Sequence, residues 1–409
     1  MPSTDARALP ATAGARRWSL VAAIASVTVF GLSVGQAGPL LSLLLEARGT
    51  DVTLNGLNAG ATFIGVIVGP LLAPRLVRRF GIRDFMLVCF GLDIALFLAM
   101  KPLDGLAAWF VLRPLGAAVG SSIFTTGEAW INQLAGDAGR GRIIGFYAAA
   151  LSAGFGVGPV ILSFTGIDGW PPFLANAAIV ALATLPLFGV AGASRGFEGA
   201  RGAGPLRMFV RAPVIVATVA VFGLFESALM SLLPIWGVRS GMTERWAAAT
   251  LSTVYFGAIA LQVPIGWLSD RASRPAALLL CGAVGLAGAI ALAGMPALSP
   301  ALFGLLFVWG GVASGIYPVA LSMVGDRFAG GDLVSVNAAM ILAYGLGGLA
   351  GPALGGAAMD LNGPQGLPWL FAGLFAGLLA VAWSAASVRR HARAARRGRS
   401  QPHDRRNPT

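Results

Sequence analysis

Long apolar stretches broken by short polar punctuation run along nearly the whole chain. An α-helix needs about 20 apolar residues to cross a bilayer, and the apolar runs predict twelve such spans. The first six lie at 18–45, 53–74, 84–100, 106–132, 143–165 and 172–192. The second six lie at 212–237, 245–268, 275–294, 300–324, 333–358 and 368–388. The longest polar gap between spans, 193–211, carries Arg195, Arg201, Arg207 and Arg211 among Gly and Ala. It reads as a linker between two six-helix halves. The chain thus divides into a disordered leader (1–17), an N-terminal bundle (18–192), the linker (193–211), a C-terminal bundle (212–388) and a basic tail (389–409).

Composition agrees with this pattern. With 56% hydrophobic and 11% charged residues, a soluble domain would expose more apolar surface than water tolerates, and disorder is excluded by the same hydrophobicity. The net charge of +12 leaves nucleic-acid binding open until the basic residues are placed. Counted from a cytoplasmic N-terminus, the inner segments hold 24 of them and the outer segments only Arg48, Lys101, Arg239 and Arg245. The positive-inside rule then puts both termini in the cytoplasm, in a bacterial inner membrane. Charge spread over many loops argues against nucleic acid. The cluster at 389–406 reads as an anchor to anionic headgroups of the lipid bilayer.

Other chemistries find no motif. There is no Walker loop, nucleophile elbow or metal spacing, Cys89 and Cys281 sit apart in apolar runs, and His391 and His403 lie in the tail. No enzyme, cofactor or metal is expected, and the chain is expected to be a monomer.

The two halves repeat. Gly154, Gly158 and Pro159 in span 5 recur as Gly347, Gly351 and Pro352 in span 11, an offset of 193, and Arg78 corresponds to Asp270 at an offset of 192. A shift by six spans preserves orientation, so the repeats are parallel, related by an axis along the membrane normal. Small-xxx-small spacing permits close helix approach, and the proline removes an intrahelical bond. These two helices are therefore expected to make half-to-half contact and to bend.

Gly266-Trp-Leu-Ser-Asp270-Arg271 followed by Arg274, and Gly347 through Pro352 to Gly356, resemble signatures of the major facilitator superfamily. Gln262-Val-Pro264-Ile-Gly266, Gly315-Ile-Tyr317-Pro318 and Glu128 followed by Arg140-Gly-Arg142 are similar to the YcaD-type bacterial permeases. The resemblance covers nearly the whole chain. It implies an all-α polytopic membrane protein of two pseudo-twofold-related six-helix bundles, and spans 1, 4, 7 and 10 lining a central cavity. One departure is that Arg78 stands where the family pattern has an acidic residue. The expectation is a charge-swapped gate, with Asp332 capping span 11 and pairing with Arg78 or Arg79. Asp270, with Arg271 and Arg274, is expected to brace the start of span 5 near Arg142. Such contacts would hold the cytoplasmic side closed.

Four ionisable residues fall inside spans: Asp93, Arg113, Glu128 and Glu226. Each is costly in lipid and must face protein or water. Glu226 lies about 14 residues, roughly 21 Å, from the inner end of span 7. At that depth a carboxyl can exchange a proton during a cycle or bind a cationic group; a structural carboxyl is the alternative. Arg113 resembles the family's buried span-4 arginine, suited to proton coupling or to an anionic substrate. Asp93 is read as its neutralising structural partner. Glu128, near the inner end, is read as a cytoplasmic gate bridge to Arg140 or Arg142. Among aromatics, Trp309 and Tyr317 on span 10 are the candidates for substrate contact. The resulting expectation is a secondary transporter moving a small molecule by alternating access, coupled to protons, with efflux favoured. A metabolite importer, or a transport-dead sensor or assembly subunit, is the alternative.

Overall fold

The computed structural model describes residues 13–134, 140–190, 206–297, 299–328 and 330–399. Every regular element among them is helical. The N-terminal half comprises α1 (Ala13–Ala47), α2 (Val52–Phe80), α3 (Ile82–Ala99), α4 (Leu106–Leu134), α5 (Arg140–Thr165) and α6 (Pro171–Phe188). A short α7 (Leu206–Arg211) leads into α8 (Pro213–Arg239), α9 (Glu244–Arg271) and α10 (Arg274–Gly294). Then come α11 (Pro300–Ser314), α12 (Ile316–Gly325), α13 (Gly330–Asn362) and α14 (Gly366–Arg399). With α11 and α12 forming one pass, all twelve predicted spans are present. Some differ in extent. The first helix starts inside the predicted leader, the last continues through 389–399 of the predicted tail, and 206–211 of the linker is helical. The rest of the leader, linker and tail lies outside the described residues.

Local chemistry explains several boundaries. The α2–α3 connection is the single residue Gly81, at φ 81°, a conformation that costs an L side chain energy. Ser273 caps α10, accepting from the Ala276 N–H at 3.3 Å. The break between α11 and α12 falls at Gly315, three residues before Pro318, which has no N–H to continue the α-helical ladder.

Twelve passes bring both ends of the chain to one side, the termini face; the opposite side is the far face. Within each half, the repeat holds contact by contact. A Cβ on Gly31 of α1 would meet the Leu151 carbonyl of α5, and one on Gly223 of α8 would meet the Tyr344 carbonyl of α13. Gly154 likewise abuts the Thr28 carbonyl, and Gly347 the Ala220 carbonyl; Gly158 and Gly351 abut those of Leu32 and Leu224. Both Gly-Pro helices contact the other half, as expected, but not through these four glycines. Gly154, Gly158, Gly347 and Gly351 pack helices within a half, and α5 and α13 are each one helix through Pro159 and Pro352.

Contact between halves uses a different face of the same helices. Gly345, Gly348 and Gly356 of α13 face Ile67, Phe63 and Val52 of α2, while Gly56 and Gly60 face Pro352 and Leu349. The counterpart across the pseudo-twofold is Gly156 of α5 against Phe256 of α9. The same faces continue toward the termini side without a partner: Leu71 of α2 is 65% exposed, Ile341 of α13 60% and Val263 of α9 78%. The halves therefore meet from mid-depth to the far face and splay apart toward the termini face.

Candidate functional site

Glu226 stands beside the contact between the halves, where its partner Tyr344 meets Phe63 of the N-terminal half. It lies midway along α8 and is partly buried. Its Oε2 accepts a hydrogen bond from the Tyr344 hydroxyl of α13 at 2.9 Å. The close α8–α13 approach at Gly223 and Gly347 brings these two groups together. Phe222, one turn before Glu226, stacks on Tyr317 at 5.0 Å and on Tyr344 at 6.1 Å. The helix break at Gly315 sets Tyr317 into this stack. Phe63 reaches from the N-terminal half onto the Tyr344 ring at 5.7 Å, and Phe155 stacks on Tyr255 at 5.6 Å. Glu128 lies on α4, one and a half turns from the termini-face end, and is hydrogen-bonded by Tyr147 of α5.

Of the residues expected to touch substrate, Glu226 and Tyr317 are brought together and two are not. Trp309 packs inside the C-terminal half. It is 1% exposed, its Nε1 donates to the Gly285 carbonyl of α10 at 2.8 Å, and its ring packs edge-on against Phe225 at 5.6 Å. Trp309→Ala should therefore cost stability, by about 3–5 kcal/mol for a buried Trp, and leave ligand affinity per folded molecule unchanged. A thermal-unfolding scan beside a binding isotherm checks this. Arg113 is 6% exposed and donates to the Asn58 Oδ1 of α2 at 2.7 Å. It makes no ion pair with Asp93, which is partly buried on peripheral α3. Asn58 satisfies part of the guanidinium, so a hydrogen bond to an uncharged amide stands where an ion pair was expected.

The expected termini-side gate is not formed either. Asp332 pairs with Arg211 of α7 at 3.6 Å, while Arg78 and Arg79 are exposed, Arg79 lying over its neighbour Phe80. Asp270 pairs with Arg274, which also reaches Asp326 at 3.3 Å, and Arg271 stacks over Trp267 at 4.2 Å. All these contacts stay within one half. The reason is the splayed termini face: partners that would meet across it are apart. The Arg142 side chain lies outside the described residues.

Twelve helical passes in two parallel repeats, with a carboxylate midway along one of them, fit one protein class, and comparison with known proteins decides it. The profile of the Major Facilitator Superfamily matches residues 21–255 and 246–407. The chain belongs to the Major Facilitator Superfamily. It is a multi-pass membrane protein related to transporters rather than to enzymes. It is 26% identical over 339 residues to the uncharacterised MFS-type transporter YfkF of Bacillus subtilis (strain 168), covering 81% of this chain and 86% of that protein. An uncharacterised MFS-type transporter of Enterobacter sp. (strain 638) is 24% identical over 331 residues, covering 78% and 84%. The crystal structure of the nucleoside transporter NupG superposes with a TM-score of 0.73 at 13% identity, covering 90% of this chain and 98% of that one. The D-xylose-proton symporter gives 0.69 at 17% identity, covering 89% and 95%. At these identities the structures share the fold with this superfamily member.

Sequence reasoning missed the contacts that close the far face. Arg239, at the end of α8, makes a two-pronged ion pair with Glu46 at the end of α1, 2.6 Å from Nε to Oε1. Arg239 also reaches Asp360 of α13 at 3.8 Å. Asp360 in turn accepts from the Thr53 N–H and hydroxyl at the start of α2, at 2.8 and 2.6 Å. Two helices from each half are thereby tied at their far ends. Single partly exposed pairs contribute about 0–1 kcal/mol, but these form only while the far face is closed, so they bias the equilibrium between states. Arg239→Gln should raise the population open at the far face by less than about tenfold. The check is labelling of a cysteine placed at Met230, beneath the seam against Gly38, by an impermeant thiol reagent from the far-face side.

Proposed function

We propose that this protein is a proton-coupled secondary transporter that moves a small amphipathic molecule by alternating access, with efflux as its direction. The observation that carries the reading is Glu226: a carboxylate midway along a spanning helix, partly buried beside the contact between the halves and hydrogen-bonded by Tyr344. A carboxylate in that position alternates between holding a proton and holding a substrate or water, and the two states of the halves present it to opposite sides. The charge distribution supports cytoplasmic termini in an inner membrane, which makes the present state open to the cytoplasm. The basic tail then rests on anionic headgroups, and the protein works as a monomer. The Gly-Pro repeats in α5 and α13, together with a cavity poor in charge, support efflux.

Proteoliposomes with a pH gradient test this reading. A compound selected by thermal-shift screening should move faster down the exchange direction set by the gradient, and dissipating the gradient should remove the acceleration. Movement indifferent to the gradient rejects proton coupling.

A further inference from the structure

Among the described residues, the charge around this site has one sign. Glu226 on α8 and Glu128 on α4 contribute a carboxylate from each half. Among the described residues neither is ion-paired with Lys or Arg. The intramembrane Arg113 is engaged with Asn58 in the α2–α4 seam. Tyr317 lies near enough to both carboxylates to feel each charge. All four tyrosines of the chain, Tyr147, Tyr255, Tyr317 and Tyr344, stand around these two acids.

The wall between them is aromatic. Tyr317, Phe222 and Tyr344 form a continuous stack, which Phe63 and the Phe155–Tyr255 pair extend into the other half. Aromatic faces carry negative charge density and attract cations. Two carboxylates in a cleft with low-dielectric walls focus the same field. One further group awaits a partner. The Tyr255 hydroxyl, on a residue 9% exposed, is buried without a hydrogen bond and lies close to Glu226. A buried tyrosine hydroxyl ordinarily has a partner.

Resting on the reading of Glu226 as the substrate and proton site, we propose that the cavity takes an organic cation. Its charged centre sits between Glu226 and Glu128, and its apolar body lies along the Phe222–Tyr317–Tyr344 stack. An anion of the same shape meets two like charges and, among the described residues, no unengaged basic one. A neutral molecule gains the aromatic contacts but not the electrostatic ones.

Tetraphenylphosphonium and tetraphenylborate share shape and apolar surface and differ in the sign of their charge. Equilibrium dialysis against the purified full chain should show saturable binding of the phosphonium and none of the borate. Glu226→Gln and Glu128→Gln should each weaken the phosphonium about tenfold or more, and Phe222→Leu, which keeps both acids, by a few-fold to about tenfold. Asp93→Asn, on peripheral α3, should leave affinity unchanged. Equal binding of both ions, tighter borate, or an Asp93→Asn effect as large as that of Glu226→Gln overturns the inference. Phosphonium binding without any proton-coupled movement upholds the cation site and rejects the transport reading. Proton-coupled movement of a neutral or anionic compound with no phosphonium binding does the reverse.

Discussion

Gly56→Val is expected to drive the protein out of its far-face-closed state. A Cβ at Gly56 would overlap the Pro352 carbonyl group, with its carbon 2.6 Å away and the Ala353 Cα at 3.1 Å. The obstruction is backbone on both sides, so no rotamer relieves it. Overpacking of this kind costs about 1–3 kcal/mol, and here the cost falls only on the state in which α2 and α13 touch. The population closed at the far face should fall by about fivefold to more than a hundredfold, and a full cycle should fail with it. Spin labels at Leu57 of α2 and Leu361 of α13 report the change as a longer, broader distance. Gly91→Ala, where an added Cβ meets nothing within 4 Å, is the matched control. An unchanged distance in Gly56→Val would mean that the α2–α13 seam does not need to close.

The second large effect is at Glu226. Glu226→Gln keeps the shape and the capacity to accept from Tyr344 but removes the exchangeable proton. Gradient-driven transport should drop by about a hundredfold or more, the scale on which a positioned proton-transfer group acts. Exchange of substrate at equal, saturating concentration on both sides, which needs no net proton movement and compensates for weakened binding, should survive. Loss of both activities would mark Glu226 as a substrate ligand without a coupling role, and loss of neither would remove it from the mechanism.

Much of this architecture was legible in the sequence because it rests on periodic chemistry. The apolar runs set the twelve passes, and the offset of 192–193 found the repeat later seen as matching glycine-to-carbonyl contacts. Glu226 and Tyr317 were legible because a charge in a span and an aromatic beside Gly315 and Pro318 are both exceptions to the pattern. Trp309 was misplaced because span 10 lines the cavity on one side only. Its ring lies on the side turned to α10, where Gly288 leaves room for it. Which helix the Gly-Pro motif glycines meet was illegible for a related reason. On α13, Gly347 and Gly351 face α8, while Gly345, Gly348 and Gly356, a turn apart on another face, meet α2. Small-residue spacing announces a close contact but not its partner.

The gates were the least legible part. Charges sit at helix ends on both faces, and which of them pair depends on the conformational state. The sequence pointed to Arg78, Asp332 and Asp270 on the termini face. The structure joins Glu46, Arg239, Asp360 and Thr53 on the other, across separations of up to 307 residues that no local pattern encodes.

In the proposed cycle the charge on Glu226 is coupled to which face is open. This coupling can be tested without knowing the substrate, by following the Leu57–Leu361 label distance as pH is varied through the range in which buried carboxylates titrate. Wild type should redistribute between the short, far-face-closed distance and a longer one as pH changes. Glu226→Gln, permanently neutral, should remain at the wild-type low-pH distribution throughout. If the variant titrates as wild type does, another group governs the switch and the account is contradicted.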